Sequence, residues 1–340
     1  MRAISGKYDS YLKDNYPYLL GIFIFVVSRL IFNISGVEFD VNPIYWYHQY
    51  LDFELLKNNL FESLFYLHSQ PPLYNLFLGL VVKISPENFN IIFELIYAAI
   101  GLISYLMMIR IMKHFNINNV IVLIVSTLFI ISPSAILYEN WLFYTYPVQF
   151  LLLLSLYLFV KIMENKKYST LFLFFILLSM IVLSRSIFNI FWMLILISLI
   201  INTKHYNYKK VLKLAANPVL LVLCVLLKNL ILFGTLNSSW VGMSFAKVTT
   251  KYLSEDEKMN LVESGDANQI ILIKPFSHVK DYDSLIIRDE STGIPALDEE
   301  YKSSGEPNYN NINYIKISKL YQKQALKILV AKPEAYMKSI

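Results

Sequence analysis

The chain has 340 residues, of which 56% are hydrophobic and only 16% are charged. A soluble domain carries about 25% charged residues, so the composition excludes an ordinary soluble domain and indicates a membrane protein. The net charge of +5 gives no sign of nucleic-acid binding. The single cysteine, Cys224, excludes a disulfide framework or a zinc cluster.

Apolar runs that can form membrane helices recur along the first 235 residues. They lie near 17–35, 71–84, 90–109, 118–137, 144–162, 168–184, 187–203 and 214–233, with short polar links between them. The pattern predicts an all-α polytopic membrane protein. No small-residue cleavage site follows the first run, so we expect a retained anchor and not a secretory signal.

The run at 71–84 is too short to cross a bilayer. Its 14 residues would form a helix of about 21 Å, against a hydrocarbon core of about 30 Å. Two prolines stand at its start. We therefore expect a half-inserted helix here, and seven crossing helices in the other runs. The basic residues of the N-terminus, 110–113, 161–167 and 204–213 then all lie on the cytoplasmic side, as the positive-inside rule requires.

This topology gathers four polar segments at the outer face: the first outer loop 36–70, the link 138–146, the turn at Arg185 and the segment after Gly234. We predict a transmembrane module over 1–234, an outer-face loop or small subdomain over 235–314, and an amphipathic surface helix over 315–340. The chain stops at "KPEAYMKSI" without a cap or tail, and we expect further helices beyond it.

Three basic residues lie within apolar runs near the predicted outer face. They are Arg29, Arg185 and Lys228. Each could extend its side chain to the lipid headgroups. Alternatively, the three together could bind one anionic ligand such as a lipid-linked phosphate. Arg can donate two parallel hydrogen bonds to a phosphate, and Lys contributes a point charge.

Carboxylates also collect near the outer face. Asp40 follows the first apolar run in a stretch rich in proline and aromatic residues, close to the bilayer. Glu139 lies in the link "LYENWLFYTYP" (137–147), where it is either an interfacial residue or the second acid of a site. Asp52, by contrast, falls on a stretch with helical periodicity, together with Glu54 and Glu62, and we expect a solvated face there.

A His and two prolines stand at the start of the short apolar run, in "YLHSQPPLYNLFLGL" (66–80). His68 has no His or Cys at the spacing of a metal site, so a hydrogen-bonding role is favoured over metal ligation. Nothing in the sequence requires a metal.

Together these stretches resemble the GT-C superfamily of membrane glycosyltransferases, in its family 39-like branch, which includes the protein O-mannosyltransferases and the lipid A aminoarabinose transferases. The matching parts are Asp40, "HSQPPLYNLFLG" (68–79) and "SPSAILYENWLFYTYP" (132–147), and the likeness covers about 17–235. Two features depart from the family pattern. Ser69 and Gln70 interrupt the usual His-Pro-Pro, and Asp40 is followed by Val41 where the family often has a second acid.

The resemblance implies a GT-C-like helix bundle that transfers a sugar from a polyprenyl phosphate-linked donor. The acceptor would be a lipid, a glycan or a protein at the outer face of a bacterial or archaeal plasma membrane, with membrane lipids around it and no cofactor. It implies Asp40 as general base and Glu139 as second acid. The implied substrate contacts are Arg29, His68, Gln70, Tyr74, Tyr146, Arg185 and Lys228.

Two other classes of protein remain open at this point. A transporter or flippase of a lipid-linked or anionic solute would use the same intramembrane cations, although transporters often show paired halves with broken helices and none are evident here. A non-catalytic membrane scaffold would need neither the acid after the first helix nor the three cations.

Overall fold

The computed structural model describes residues 2–236 and 238–339, with side chains from Asn15 onward. Within these residues the chain is helical and contains no strand. The helices are α1 (Arg2–Ile34), α2 (Pro43–Trp46), α3 (Phe53–Asn58), α4 (Leu60–Phe65), α5 (Leu73–Ile84), α6 (Phe89–His114), α7 (Asn119–Ile130), α8 (Pro133–Glu139), α9 (Thr145–Asn165), α10 (Tyr168–Ser184), α11 (Ile190–Asn202), α12 (Tyr208–Phe233), α13 (Val241–Thr249), α14 (Glu255–Glu263), α15 (Pro295–Asp298), α16 (Asn313–Ala331) and α17 (Pro333–Met337).

Four of the described helices are long and apolar enough to cross a membrane. They are the Asn15–Ile34 part of α1, and α6, α9 and α12, each with 20 or more residues. The bent pair α7 and α8 gives a fifth candidate. The prediction of an all-α membrane protein is confirmed at this level.

Three further apolar helices are shorter than a span. α5 has 12 residues, α11 has 13 and α10 has 17. At 1.5 Å per residue, α5 is about 18 Å long, and a straight crossing needs about 20 residues. The sequence predicted seven crossing helices. By length alone, the described part of the structure supports four, or five if the bent pair is one span. The half-insertion of α5 stays a prediction.

The run predicted at 118–137 is broken in the middle. α7 and α8 meet at a bend of 58°. Pro133 occupies the first turn of α8, where its missing N–H costs nothing, and the Ser132 hydroxyl accepts a hydrogen bond from the Ala135 N–H at 3.3 Å. Ser132 and Pro133 therefore end one helix and start the next.

The chain divides into two compact units. Unit 1 comprises residues 1–43 and 81–222. Its core joins α1, α6 and α7 through Phe25, Tyr105, Ile109, Val122 and Ile130. α9 packs on α6, and α10 packs on α9. Successive long helices thus lie side by side, as expected for a membrane bundle.

Unit 2 comprises residues 44–80 and 223–340. Its core is formed mainly by α13 and α16, and includes Trp240, Met243, Tyr314 and Tyr321. Gly242 allows the close approach of these helices, because a Cβ there would collide with the backbone of Ser318.

The units differ from the predicted division in two respects. Most of the first outer loop joins the segment after 223 instead of the membrane helices. The amphipathic pattern over 315–340 was predicted to indicate a helix on the membrane surface, and the structure gives another reason for it. The apolar face of α16 is buried against α13 and the 3₁₀ turns Gln269–Leu272 and Val279–Tyr282, so protein covers it.

Candidate functional site

An ion pair within unit 1 joins two residues that the sequence singled out. The Arg29 Nε donates to Glu139 Oε1 at 2.8 Å, and its Nη2 donates to Oε2. The Glu139 side chain is 3% exposed and that of Arg29 16% exposed. The Arg29 side chain also lies over the ring of Phe25, with 4.0 Å between guanidinium carbon and ring centroid. Arg29 is therefore held by protein groups, whereas the expected role was contact with a phosphate.

Tyr146 completes this arrangement at the start of α9. Its hydroxyl donates to Glu139 Oε2 at 2.8 Å, and the side chain is buried. Gly101 in α6 makes room for both groups, because a Cβ at this position would lie 2.7 Å from the Tyr146 hydroxyl and closer still to the Glu139 carboxylate. We call Arg29, Glu139, Tyr146 and Gly101 the ion-pair cluster.

Asp40 lies beside the same link through its backbone. The Asp40 N–H donates to the Asn140 carbonyl at 2.8 Å, and the Leu142 N–H donates to the Asp40 carbonyl at 2.9 Å. This two-bond bridge places Asp40 next to the residues that follow Glu139. The half-buried carboxylate accepts a hydrogen bond from the Asn42 N–H at 3.0 Å, and no described basic residue forms an ion pair with it. A carboxylate in such a setting can accept a proton.

Arg185 reaches the same link from the end of α10. Its guanidinium carbon lies 3.7 Å from the centroid of the Tyr144 ring. Tyr97 of α6 contributes a hydrogen bond from its hydroxyl to the Phe143 carbonyl at 2.9 Å. Four separate stretches of the sequence therefore meet around the link 138–146.

A cavity of about 300 Å³ opens beside the ion-pair cluster. Its apolar wall includes Phe25, Leu30 and Val37, and its polar lining includes Asn33, Glu94, Asn140 and the ion pair. Glu94 is a residue that the sequence interpretation missed. It is the only charged residue between 89 and 109, and a lone carboxylate within an apolar helix is a signal for a functional site.

The opposite end of unit 1 has a different electrostatic character. There His114 Nδ1, at the end of α6, lies 2.5 Å from Glu164 Oε1 near the end of α9, and both side chains are one-third exposed. Basic residues stand at or next to the helix ends on this side: Arg110, Lys113, Lys161, Lys166, Lys167, Lys204, Lys209, Lys210 and Lys213. The acidic and aromatic site thus lies at the end of the bundle with few basic residues.

His68 belongs to unit 2 and has a structural environment. Its ring is fully buried, with Nδ1 2.7 Å from the Ser239 hydroxyl and Nε2 2.9 Å from the Asn310 carbonyl oxygen. The carbonyl requires an N–H on Nε2, so Nδ1 accepts from Ser239. Burial, opposed by the hydrogen bond to Asn310 and assisted by the charge of Lys228, lowers the pKa of His68 to about 3. Both ring nitrogens are hydrogen-bonded, which agrees with the role favoured from the residues alone, and none remains for the substrate contact that the resemblance implied.

Lys228 is likewise bound to the backbone of unit 2. Its ammonium donates to the carbonyls of Phe65 at 2.6 Å and Leu67 at 3.1 Å, just after α4. A cation at the carboxyl end of a helix is favourable. Gln70 and Tyr74 are buried, and the Tyr74 ring packs 5.3 Å from that of Tyr50.

The structure therefore sorts the candidate residues into two groups. Arg29, Asp40, Glu139, Tyr146 and Arg185 collect around one link in unit 1, whereas His68, Gln70, Tyr74 and Lys228 lie in unit 2. Among the described residues, no three His, Cys, Asp or Glu side chains are placed to hold a metal ion. Comparison of the chain with known protein families, with characterised proteins and with solved structures gives no match.

Proposed function

We propose that the protein is a GT-C-like membrane glycosyltransferase that uses a polyprenyl phosphate-linked sugar as donor. The observation that carries this proposal is the convergence of Asp40, the ion-pair cluster and Arg185 around the link 138–146, which contributes Glu139 and Asn140 to the wall of a cavity. Acids, a cation and a pocket at this position suit a substrate whose lipid tail stays in the membrane.

In the proposed reaction, Asp40 is the general base. The acceptor hydroxyl attacks the anomeric carbon while its proton passes to the Asp40 carboxylate. The bond between the anomeric carbon and the phosphate oxygen breaks, and polyprenyl phosphate leaves with the bonding electrons. Attack from the face opposite the phosphate inverts the anomeric centre. General base catalysis of this kind typically contributes about 10²–10⁴-fold.

Arg185 is the proposed contact for the leaving phosphate. A guanidinium can keep its face on an aromatic ring while its edge donates to an anion, and the stacking on Tyr144 fits this use. Glu139 is a positioning residue in this scheme and not a second acid, because Arg29 and Tyr146 already bind its two oxygens. We assign no substrate contact to His68 or Lys228.

A transporter or flippase of a lipid-linked solute is the second candidate. The break between α7 and α8 favours it, because α8 lines the cavity and broken helices are common at transporter binding sites. The two candidates differ in whether the donor is consumed.

The test is a transfer assay on purified protein in detergent with a panel of hexosyl and pentosyl polyprenyl phosphates. Release of polyprenyl phosphate from one of these donors supports the transferase. Intact donors throughout the panel, together with donor movement across the bilayer of proteoliposomes, would reject the transferase in favour of the transporter.

A further inference from the structure

The cavity of unit 1 carries one unbalanced negative charge. Its charged lining residues are Arg29, Glu94 and Glu139. Arg29 donates to both carboxylate oxygens of Glu139, so these two charges compensate each other. The Glu94 side chain is exposed in the cavity wall, and no described residue donates a hydrogen bond to it or pairs with it. A ligand in the cavity therefore meets one uncompensated carboxylate.

The same contacts make the cavity unfavourable for a phosphate. The Nη1 of Arg29 donates to the Ser28 hydroxyl at 3.0 Å and the Ile130 carbonyl at 3.3 Å, while its other nitrogens bind Glu139. These bonds occupy four of the five N–H groups of Arg29, so an anion could receive only one hydrogen bond from it without breaking them. It would also face the uncompensated carboxylate of Glu94, and like charges repel.

We propose that this cavity binds a part of the acceptor other than its attacking hydroxyl, and that it takes an apolar group headed by a hydroxyl or an ammonium group that donates to Glu94. The assignment to the acceptor rests on the proposed transferase function, whereas the ligand chemistry rests on the cavity alone. The wall formed by Phe25, Leu30 and Ile136 suits an acyl or alkyl chain. The volume of about 300 Å³ is at the lower end for small-molecule sites, which suits one headgroup and part of a chain.

The charge of the cavity can be measured without knowing the acceptor. Ala98 lines the cavity one helical turn after Glu94. In a Cys224→Ser background, Ala98→Cys is treated with cationic trimethylammonium-ethyl or anionic sulfonatoethyl methanethiosulfonate. The ratio of the cationic to the anionic reaction rate is measured at Ala98→Cys and at Ser264→Cys, an exposed control in unit 2. Dividing the first ratio by the second removes the intrinsic difference in reactivity between the two reagents. We expect the cation to be favoured, and Glu94→Gln to reduce the preference by about tenfold. Equal rates, or a preference that Glu94→Gln leaves unchanged, would overturn the proposal.

The ligand class is tested by protection of the same cysteine. The neutral hydroxyethyl reagent is applied to Ala98→Cys with dodecylamine, dodecanol or dodecyl phosphate below micellar concentration. Protection by dodecylamine alone identifies an ammonium ligand, and protection by both dodecylamine and dodecanol shows that a hydroxyl suffices. Glu94→Gln should weaken either effect. Protection by dodecyl phosphate equal to that of the other two, or none by any of the three, would contradict the proposal. If the cavity shows this binding but the protein has no transferase activity, the binding site is supported and its assignment to the acceptor is rejected.

Discussion

The ion-pair cluster offers a direct test of how the site in unit 1 is held together. Glu139→Gln leaves the Arg29 guanidinium against a neutral amide in a nearly dry setting, since the two side chains are 3% and 16% exposed. Removing one partner of a buried ion pair costs about 3–5 kcal/mol. We expect a loss in this range, because the single amide oxygen can accept from Tyr146 and one Arg29 nitrogen while the amide NH2 faces another Arg29 N–H.

A double-mutant cycle separates the pair from its surroundings. Arg29→Gln should also cost about 3 kcal/mol, because it leaves the Glu139 carboxylate buried and unpaired. The double variant should lose well under the sum of the two, which gives a coupling energy of about 2 kcal/mol. The assay is chemical unfolding of the purified protein in mixed micelles, followed by circular dichroism.

The His114–Glu164 pair is the matched control. It joins two helices of the same unit, but both of its side chains are one-third exposed. Water screens such a pair, and its coupling should be at most about 1 kcal/mol. Strictly additive losses at Arg29 and Glu139, or a coupling no larger than in the control pair, would refute the view that the pair is a dry, rigid support of the site.

Three further predictions concern packing, pH and topology. Gly101→Ala should cost about 1–3 kcal/mol, because its Cβ would press on the Tyr146 hydroxyl, and an unfolding curve equal to wild type would contradict this. Because the pKa of His68 is lowered to about 3 in the folded chain, only the unfolded chain binds a proton at this residue between about pH 6.5 and pH 3. Stability should therefore fall from pH 6.5 towards pH 3 by up to about 1.4 kcal/mol per pH unit, and His68→Gln should flatten that slope in unfolding measurements. Cysteines at Asn165 and Ser264 should be labelled from opposite sides of the membrane, and labelling from one side would reject the topology.

The membrane helices were the part of the fold most accessible from sequence. The runs predicted at 90–109, 144–162 and 168–184 correspond to α6, α9 and α10 within a few residues. Uninterrupted apolar stretches specify such helices almost locally. A capping serine before a proline marks the break at Ser132 and Pro133 in the sequence. The apolar residues on both sides of it led instead to the prediction of one continuous run over 118–137.

The site was only partly accessible from the sequence. Composition and spacing selected Arg29, Asp40 and Glu139 because each carries charge at the edge of an apolar run. They could not show that Arg29 and Glu139 bind each other, because the two residues lie 110 positions apart. His68 was placed beside a substrate only by the resemblance to the GT-C superfamily. Its partners, Ser239 and Asn310, come from distant segments whose packing no local pattern reveals.

The measurement that tests the central claim most directly is the rate of sugar transfer by Asp40→Asn, with Asp52→Asn as its control. Asp40→Asn keeps the size of the side chain and removes its ability to accept a proton, so turnover should fall by about 10²–10⁴-fold while donor binding stays near wild type. Asp52 accepts hydrogen bonds from the Ser303 backbone and hydroxyl at 3.0 and 2.5 Å, so Asp52→Asn should loosen that contact and leave turnover near wild type. Full activity in Asp40→Asn, with loss of turnover in Asp52→Asn, would contradict the account.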